Sequence, residues 1–324
     1  MNNSHIIFGG QGFIGQNLAL SLLDLGHKVL SIDKDLWSLP YSKDFLQHNN
    51  SFFSLRADIV DDEDKINDFI HSIDFDIANS TVWHLAANSD IAAGSENANI
   101  DLRDTFLTTT NVINFCSHHN IRTICFASSS AVYGSWAKDN HAYKETDMTK
   151  PISNYGAMKL ASEAILSSAA EYLFDRVEIF RFPNVVGNPA THGVIRDLII
   201  KLRRDSICLE VLGDGQQTKP YLHVSDLIDA MCFLAFHESN EPYRVCNIGS
   251  DNSNVSVKQI AELVVKEIAP NAKIFFGSSP GGWIGDVPKV FFDNSKIQNF
   301  GWRAKLNGLD AVHKTILDLK DILK

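Results

Sequence analysis

Residues 8–15 read Phe8-Gly9-Gly10-Gln11-Gly12-Phe13-Ile14-Gly15, between the apolar run His5-Ile6-Ile7 and a helical pattern that puts Ile14, Leu18, Leu22 and Leu25 on one face. The order is strand, glycine turn, helix. Glycines permit a turn too tight for side chains, and the first turn of the helix behind it offers unpaired N–H groups and a positive dipole end to a pyrophosphate. A second strand, Lys28-Val29-Leu30-Ser31-Ile32, ends in Asp33, about 20 residues past the turn, where dinucleotide folds place the acid that binds the adenosine ribose. Many loops carry three glycines; the flanking strand, helix and acid make this one specific. A carboxylate at Asp33 repels a 2′-phosphate, and Lys34 beside it is too ordinary to reverse that, so NAD is expected rather than NADP.

At 324 residues the chain exceeds the usual span of one core, and with 44% hydrophobic and 21% charged residues two lobes are expected. The formal net charge of −10 argues against a nucleic-acid surface. No stretch approaches the ~18 apolar residues of a membrane span, so no membrane partner is expected and a small molecule is. Met1-Asn2-Asn3-Ser4 leads straight into the first strand, which predicts no secretory leader and a cytoplasmic protein. The five cysteines, Cys116, Cys125, Cys208, Cys232 and Cys246, are scattered without metal-ligand spacing and read as buried reduced thiols.

Strand-like runs at 51–55, 81–85, 122–126 and 177–180 alternate with segments long enough for crossover helices. This predicts an α/β fold with a doubly wound parallel sheet, the Rossmann arrangement, and a smaller C-terminal lobe for the substrate. Ligands in such sheets bind beyond the carboxyl ends of the strands, so Asp33, Asp58, His84 to Ala87, Ser128 to Ser130 and Asn184 are expected to converge. The later chain is more broken, with loops at 189–193 and 277–288 and a Gly213-Asp214-Gly215 turn. Helical periodicity returns at Ile260, Leu263, Val264 and Ile268, and at Leu309, Val312, Ile316 and Leu319. The expected boundaries are 1–183 with 217–247 for the NAD-binding domain, and 184–216 with 248–324 for the substrate domain.

Tyr155 and Lys159 stand four residues apart in a helix-forming run, which puts both on one face. Such a pair occurs by chance in many helices. The serine run Ser128-Ser129-Ser130, directly after the apolar strand ending at Phe126-Ala127, gives it a chemical purpose. A hydroxyl holds an alcohol substrate, a tyrosine accepts its proton, and an ammonium together with the cofactor's positive charge lowers the tyrosine from about 10 toward working pH.

With these segments in place the chain resembles the extended short-chain dehydrogenase/reductase family, and within it the nucleotide-sugar epimerases and dehydratases. The resemblance is carried by Gly9 to Gly15, Asp33, Asp58-Ile59, His84-Leu85-Ala86-Ala87, Ser128 to Gly134, Tyr155 to Lys159, Arg181 to Gly187, Gly213-Asp214-Gly215, Tyr221 to Val224 with Asp226, Asn247-Ile248-Gly249 and Gly285-Asp286-Val287. It implies that Ser129 is the catalytic hydroxyl, Tyr155 the base, and Lys159 the partner of the ribose and of the tyrosine. It implies cofactor contacts at Gly9, Gly12, Phe13, Ile14, Gly15, Asp33, Asp58, Ile59, Leu85, Ala86 and Ala87. Thr105 takes the place of a family asparagine near the cofactor. Substrate contacts are implied at Ser130, Asn184, Val194, Lys219, Tyr221 and Asp286. His192 reads either as a substrate contact or as a structural turn. A homodimer is implied through helices near 99–117 and 154–171.

Departures from the family pattern narrow the reaction. Dehydratases carry an Asp-Glu pair after the catalytic hydroxyl residue, where this chain has Ser130 and Ala131. Elimination of water lacks its acid and base there, and decarboxylation lacks its glutamate. Reversible oxidation at C4 remains: a nucleotide-sugar 4-epimerase acting through a transient 4-keto sugar, or a nucleotide-sugar 4-dehydrogenase with net NADH formation. A non-catalytic NAD-binding regulator is the reading from another class. Lys219 stands where an arginine commonly grips the diphosphate, keeping the charge and losing the bidentate fork, and Trp283 replaces a second arginine. His84 and His223 read as strand-end residues satisfying local hydrogen bonds, Asp61 to Asp64 as the acidic start of a helix, and His118-His119 as a helix end without a third metal ligand.

Overall fold

The computed structural model describes residues 4–35, 49–135, 141–190, 192–250, 254–278 and 291–323. The chain divides into two compact units. The first comprises residues 1–134, 148–181 and 231–246, the second residues 135–147, 182–230 and 247–324.

The first unit is built on a seven-stranded sheet. Its strands are β1 (Ser4–Phe8), β2 (Lys28–Asp33), β3 (Phe52–Arg56), β4 (Thr81–His84), β5 (Thr123–Ala127), β6 (Arg176–Arg181) and β7 (Tyr243–Asn247), in the spatial order β7-β6-β5-β4-β1-β2-β3. Every pair from β3 across to β6 runs parallel. Parallel strands buried on both faces read as continuous apolar runs, and β1 and β4 are buried at every position. Helices α1 (Phe13–Asp24), α2 (Glu63–Ser72), α3 (Ile91–Glu96), α4 (Ala98–Asp101), α5 (Thr108–His118) and α6 (Asn154–Ala170) join the strands. Between α4 and α5 the helix widens into a π turn, Leu102–Leu107. The order reverses between β1, which is followed by β2, and β4 on its other side. That reversal is the switch point at which open α/β sheets bind ligands.

Within this unit the fold departs from the expected pattern at particular places. Leu25 lies past the end of α1 and is 58% exposed, while Ala19 and Leu23 complete the buried face with Leu18 and Leu22. Glu63 and Asp64 open α2, so the acidic run does start a helix. Cys116, Cys125, Cys232 and Cys246 are buried and Cys208 half-buried, with none of the five in a disulfide. At the β6–β7 edge, Glu178 is gripped by Arg176 Nε at 2.7 Å and Arg244 Nε at 2.8 Å, and both arginines also donate to the Leu234 carbonyl at 2.6 Å. Buried charge survives in this interior because every partner is hydrogen-bonded.

In the second unit the strands Asn254–Ser256, Thr218–His223 and Asn184–Val186 form a three-stranded sheet, antiparallel at the first pair and parallel at the second. The strand Cys208–Val211 pairs in parallel with Lys273–Phe276. Helices Val194–Arg204, Val257–Ile268 and Gly308–Lys320 bury Ile195, Leu198, Ile260, Val264, Val312 and Ile316 in one core. A capping box starts the second of these, with Ser256 and Gln259 exchanging bonds. Residues 135–147 and 217–230 belong to this unit, whereas the sequence boundaries assign them to the nucleotide-binding domain. The reason is pairing: Thr218–His223 hydrogen-bonds to Asn184–Val186 and not to the large sheet.

A histidine pair, His5 buried and His27 half-buried, lies at the amino ends of β1 and β2. His5 Nδ1 accepts from Trp83 Nε1 at 3.1 Å, and its ring meets His27 edge-on at 4.7 Å. Burial, reinforced by His27, pushes His5 down to about 3. An unfolded histidine near 6.5 binds a proton that the folded one refuses, so this contribution is complete above 6.5 and is lost as pH falls from 6.5 toward 3. His5→Asn, whose Oδ1 replaces Nδ1 as acceptor, is expected to reduce the loss of unfolding free energy between pH 7 and pH 5 by about 2 kcal/mol, measured by denaturant titration. An identical pH dependence in the variant excludes His5 as the source.

Candidate active site

The glycine turn packs against the loop that follows β4. Gly9 has φ +84°, and a Cβ there would stand 2.6 Å from the Ala86 backbone nitrogen. At Gly15 a Cβ would stand 2.3 Å from the Gly9 carbonyl oxygen, so only glycine lets α1 seat against the turn. Gly12 is exposed at the N-cap of α1, and no side chain caps the helix. The N–H groups of its first turn are therefore offered outward, as a dinucleotide pyrophosphate requires. The residues present fit that group.

Asp33 ends β2 and accepts from Gln11 N at 2.9 Å on Oδ2 and from Asp35 N at 3.0 Å on Oδ1. Burial raises its proton affinity against these two bonds. Lys34 Nζ is engaged by Asp104 Oδ2 at 2.9 Å, and its charge is the weakest of the influences on the Asp33 carboxylate beside it. Asp58 accepts from Val60 N at 2.9 Å and from Arg103 at 3.0 Å, while Ile59 is buried in the core. Leu85 N donates to Phe8 O at 2.8 Å, which fixes the start of the Leu85-Ala86-Ala87 loop. Thr105 is buried in the π turn, where its hydroxyl accepts from Asn88 N at 3.2 Å.

The serine run divides its labour. Ser128 Oγ donates to Glu163, and its backbone N–H bonds Phe180 O at 2.8 Å. Ser129 caps a short 3₁₀ turn, Ser130–Val132, its Oγ accepting from Ala131 N at 3.1 Å, and it eases ionisation of Tyr155. Ser130 begins that 3₁₀ turn and is half-buried.

Ser153 caps α6 by accepting from Gly156 N, which sets Tyr155 in the first turn and Lys159 one turn later. Lys159 is 1% exposed. Its ammonium donates to Ala127 O at 2.7 Å and lies 4.7 Å from the centre of the Phe126 ring and 5.7 Å from that of Tyr155. Burial pulls Lys159 down to about 7 against the charges of Glu163 and Asp101. Burial also pushes Tyr155 up to about 12, with the Ser129 bond pulling the other way and Asp101 pushing further up. The sequence reading looks to the ammonium and the cofactor together to lower the tyrosine. In the chain by itself desolvation dominates and the net displacement is upward.

In the second unit, Asn184 is register partner to Tyr221, and Lys219 lies two residues before Tyr221 on the same strand, a spacing that puts both on one face. Val194 begins the helix Val194–Arg204, preceded by exposed His192. Asn184 thus shares a small sheet with Lys219 and Tyr221, in a different unit from Asp33, Asp58, His84 and the serines. Asp286 and Trp283 lie outside the described residues.

Three features escape sequence reasoning. Gln11 bridges the turn, donating to Ser54 Oγ at 2.8 Å. His84 is hydrogen-bonded to Thr109 at 2.9 Å, and Thr109 to Ser162 at 2.9 Å, a buried chain between β4, α5 and α6. Asp101 is buried at the end of α4, where it accepts from Asn88 Nδ2 at 2.8 Å. Only the threonine-rich stretch 108–110, in a helix that would otherwise read as apolar, signals the second of these. His84 and His223 do make local hydrogen bonds, His223 with Ser225 at 2.7 Å.

A dinucleotide cradle at the switch point of a doubly wound sheet, with Ser129, Tyr155 and Lys159 gathered at the end of β5, defines the class of this protein. The chain belongs to the NAD dependent epimerase/dehydratase family, whose profile matches residues 5–249. A crystal structure of UDP-galactose 4-epimerase superposes with TM-score 0.82 at 31% identity, covering 99% of this chain and 100% of that one. MoeE5 in complex with UDP-glucuronic acid and NAD gives TM-score 0.82 at 27% identity, with 98% and 99% covered. The UDP-glucose 4-epimerase of Corynebacterium glutamicum is 26% identical over 334 residues, with 95% of this chain and 92% of that protein covered. Among the described residues no helix is long and apolar enough to cross a membrane.

Asp33→Ala removes the charge that disfavours a 2′-phosphate. The ratio of NAD to NADP affinity, measured by calorimetry, is expected to fall about tenfold, equivalent to about 1.4 kcal/mol. An unchanged ratio removes Asp33 from cofactor choice.

Proposed function

We propose that this chain is an NAD-dependent nucleotide-sugar 4-epimerase acting through a transient 4-keto sugar. The buried Lys159 ammonium, bonded to Ala127 O and 5.7 Å from the centre of the Tyr155 ring, with Ser129 acting on the same phenol, carries the reading. Ser130 and Ala131, in place of an acid–base pair, support epimerisation over dehydration. NAD, when bound, supplies the acceptor and donor of hydride at C4. Ser129 holds the C4 hydroxyl, and Tyr155 takes its proton and later returns it. With Tyr155 raised to about 12 by burial, its proton-accepting form depends on positive charge nearby, and Lys159 is the chain's own source of it.

Because Lys159 Nζ is already bonded to Ala127 O, its position is fixed before any substrate arrives. Asn184, Val194, Lys219 and Tyr221 are assigned to the nucleotide sugar, with Ser130 near its hexose and His192 at its edge. A UDP sugar is favoured, as the epimerases and MoeE5 named above are described with UDP sugars. The homodimer is assigned to the faces of 99–117 and 154–171, where Leu102 and Leu107 stay exposed. Sedimentation at working concentration is expected to give twice the 36.0 kDa chain mass, and a monomer removes that assignment.

Purified protein with NAD and a panel of UDP, GDP, CDP and dTDP sugars is expected to yield a C4 epimer without net absorbance at 340 nm. Stoichiometric NADH with a keto sugar would make it a dehydrogenase, and binding of NAD with no turnover of any sugar would favour the regulator. Tyr155→Phe is expected to lower turnover by about 10²-fold or more while leaving NAD affinity nearly intact. Undiminished turnover in that variant excludes Tyr155 as the proton acceptor.

A further inference from the structure

The carboxyl ends of the outer strands carry a network of charges that the cofactor assignment uses only in part. A dinucleotide runs outward from the glycine turn after β1, past Asp33 at the end of β2, so the base beyond the ribose falls at the next strand end, that of β3. Asp58 stands there, two residues past Arg56. Its Oδ1 accepts from Val60 N at 2.9 Å, and its Oδ2 accepts from Arg103 Nη2 at 3.0 Å. Arg103 comes from a distant part of the chain, the π turn Leu102–Leu107, whose Thr105 meets the loop after β4 at Asn88 N.

The same guanidinium holds two more acids. Its Nη2 also bonds Asp61 of the β3–α2 loop, and its Nη1 donates to Asp104 Oδ1 at 2.7 Å. Asp104 Oδ2 accepts from Lys34 Nζ at 2.9 Å, one residue past Asp33, and Arg56 Nε donates to Lys34 O at 3.0 Å. The ends of β2 and β3 and the π turn are thus tied into one rim. Exposed ion pairs contribute little one at a time, and the Arg103 side chain is 39% exposed. A guanidinium shared by three carboxylates is a different case. Without it Asp58 and Asp61 would be neighbouring like charges that repel, and among the described residues the Asp58 side chain would keep only its Val60 bond. Its Oδ2 would then have no fixed place.

We propose that Arg103 is a positioning residue for cofactor recognition, holding the Asp58 carboxylate so that Oδ2 accepts from the 6-amino group of adenine. This rests on the assignment of Asp58 to the cofactor. A carboxylate oxygen has a second lone pair to offer once Arg103 occupies the first. An amino group donates and a 6-oxo group does not, so a carboxylate fixed at this place selects adenine over a base with oxygen at C6. Arg103 itself touches neither dinucleotide nor sugar in this account. It sets selectivity for the base, as Asp33 sets the choice at the ribose.

The test is calorimetric titration of the full chain, without sugar, using NAD and nicotinamide hypoxanthine dinucleotide, which carries oxygen in place of the amino group at C6. In Arg103→Met, which keeps an unbranched stem and removes the charge, the ratio of NAD affinity to analogue affinity is expected to fall about fivefold. A side chain that only stabilised the loops would weaken both dinucleotides alike, so an unchanged ratio overturns the proposal. If Arg103→Met does not fold, Arg103→Lys decides: it keeps the charge and loses the fork, and the ratio is expected to fall about twofold, an unchanged ratio again overturning the proposal. Asp58→Asn separates the two assignments. Val60 N keeps the amide oxygen at the Oδ1 position, which puts a donor where Oδ2 was, and the ratio is expected to fall at least as far as in Arg103→Met. A fall in Asp58→Asn and none in Arg103→Met rejects Arg103 alone, whereas a ratio unmoved in both also removes Asp58 from the adenine. A fall in Arg103→Met with none in Asp58→Asn overturns the proposal as well, since the effect would not pass through Asp58.

Discussion

The bond from Lys159 Nζ to Ala127 O fixes much of what surrounds it. An ammonium taken out of water needs acceptors and counter-charges, and these dictate where neighbouring elements lie. The carbonyl comes from the end of β5, so α6 is pinned over that strand and Tyr155 is carried to the serine run. One turn along, Glu163 joins the same helix to Ser128 and Arg181. Phe126 presents its ring to the cation and excludes water from beneath it. Strand order, serine placement and helix register all satisfy one desolvated charge.

The same desolvation explains why the two reactive groups are displaced in opposite senses, Lys159 to about 7 and Tyr155 to about 12. Burial penalises whichever form is charged. A site assembled in this way rests with a neutral tyrosine and a lysine near the midpoint of its titration. Small changes in nearby charge are therefore enough to redistribute protons between them.

What the sequence disclosed was local. The glycine turn and Asp33 are joined by a bond spanning 22 residues and the strands of the large sheet are marked by apolar runs, so β1, β2 and β4 fall within a residue of their expected places. Tyr155 and Lys159 were legible because a helix puts residues four apart on one face. The remainder depends on pairing across long separations. Residues 217–230 join the second unit because Tyr221 pairs with Asn184, a choice of strand partner that periodicity does not encode. Asp101 looks like any acid in a polar helix until Gly94 and Asn88 are seen around it. Leu25 fits the apolar stripe by spacing yet lies beyond the end of α1, where the chain turns at Gly26 with φ +84°.

The π turn at Leu102–Leu107 also bears on how this site could change over time. Such a turn holds one residue more than an α-helical turn closing the same length. Loss of a single codon there would restore regular helix and rotate everything before it by about 100° relative to α5. Asp101, whose carboxylate accepts from Asn88 and fills the space left by Gly94, would leave that place while Thr109 and the strands kept theirs. A single deletion there would thus rebuild the seat of Thr105 and the packing of the helix before it while leaving the large sheet as it is.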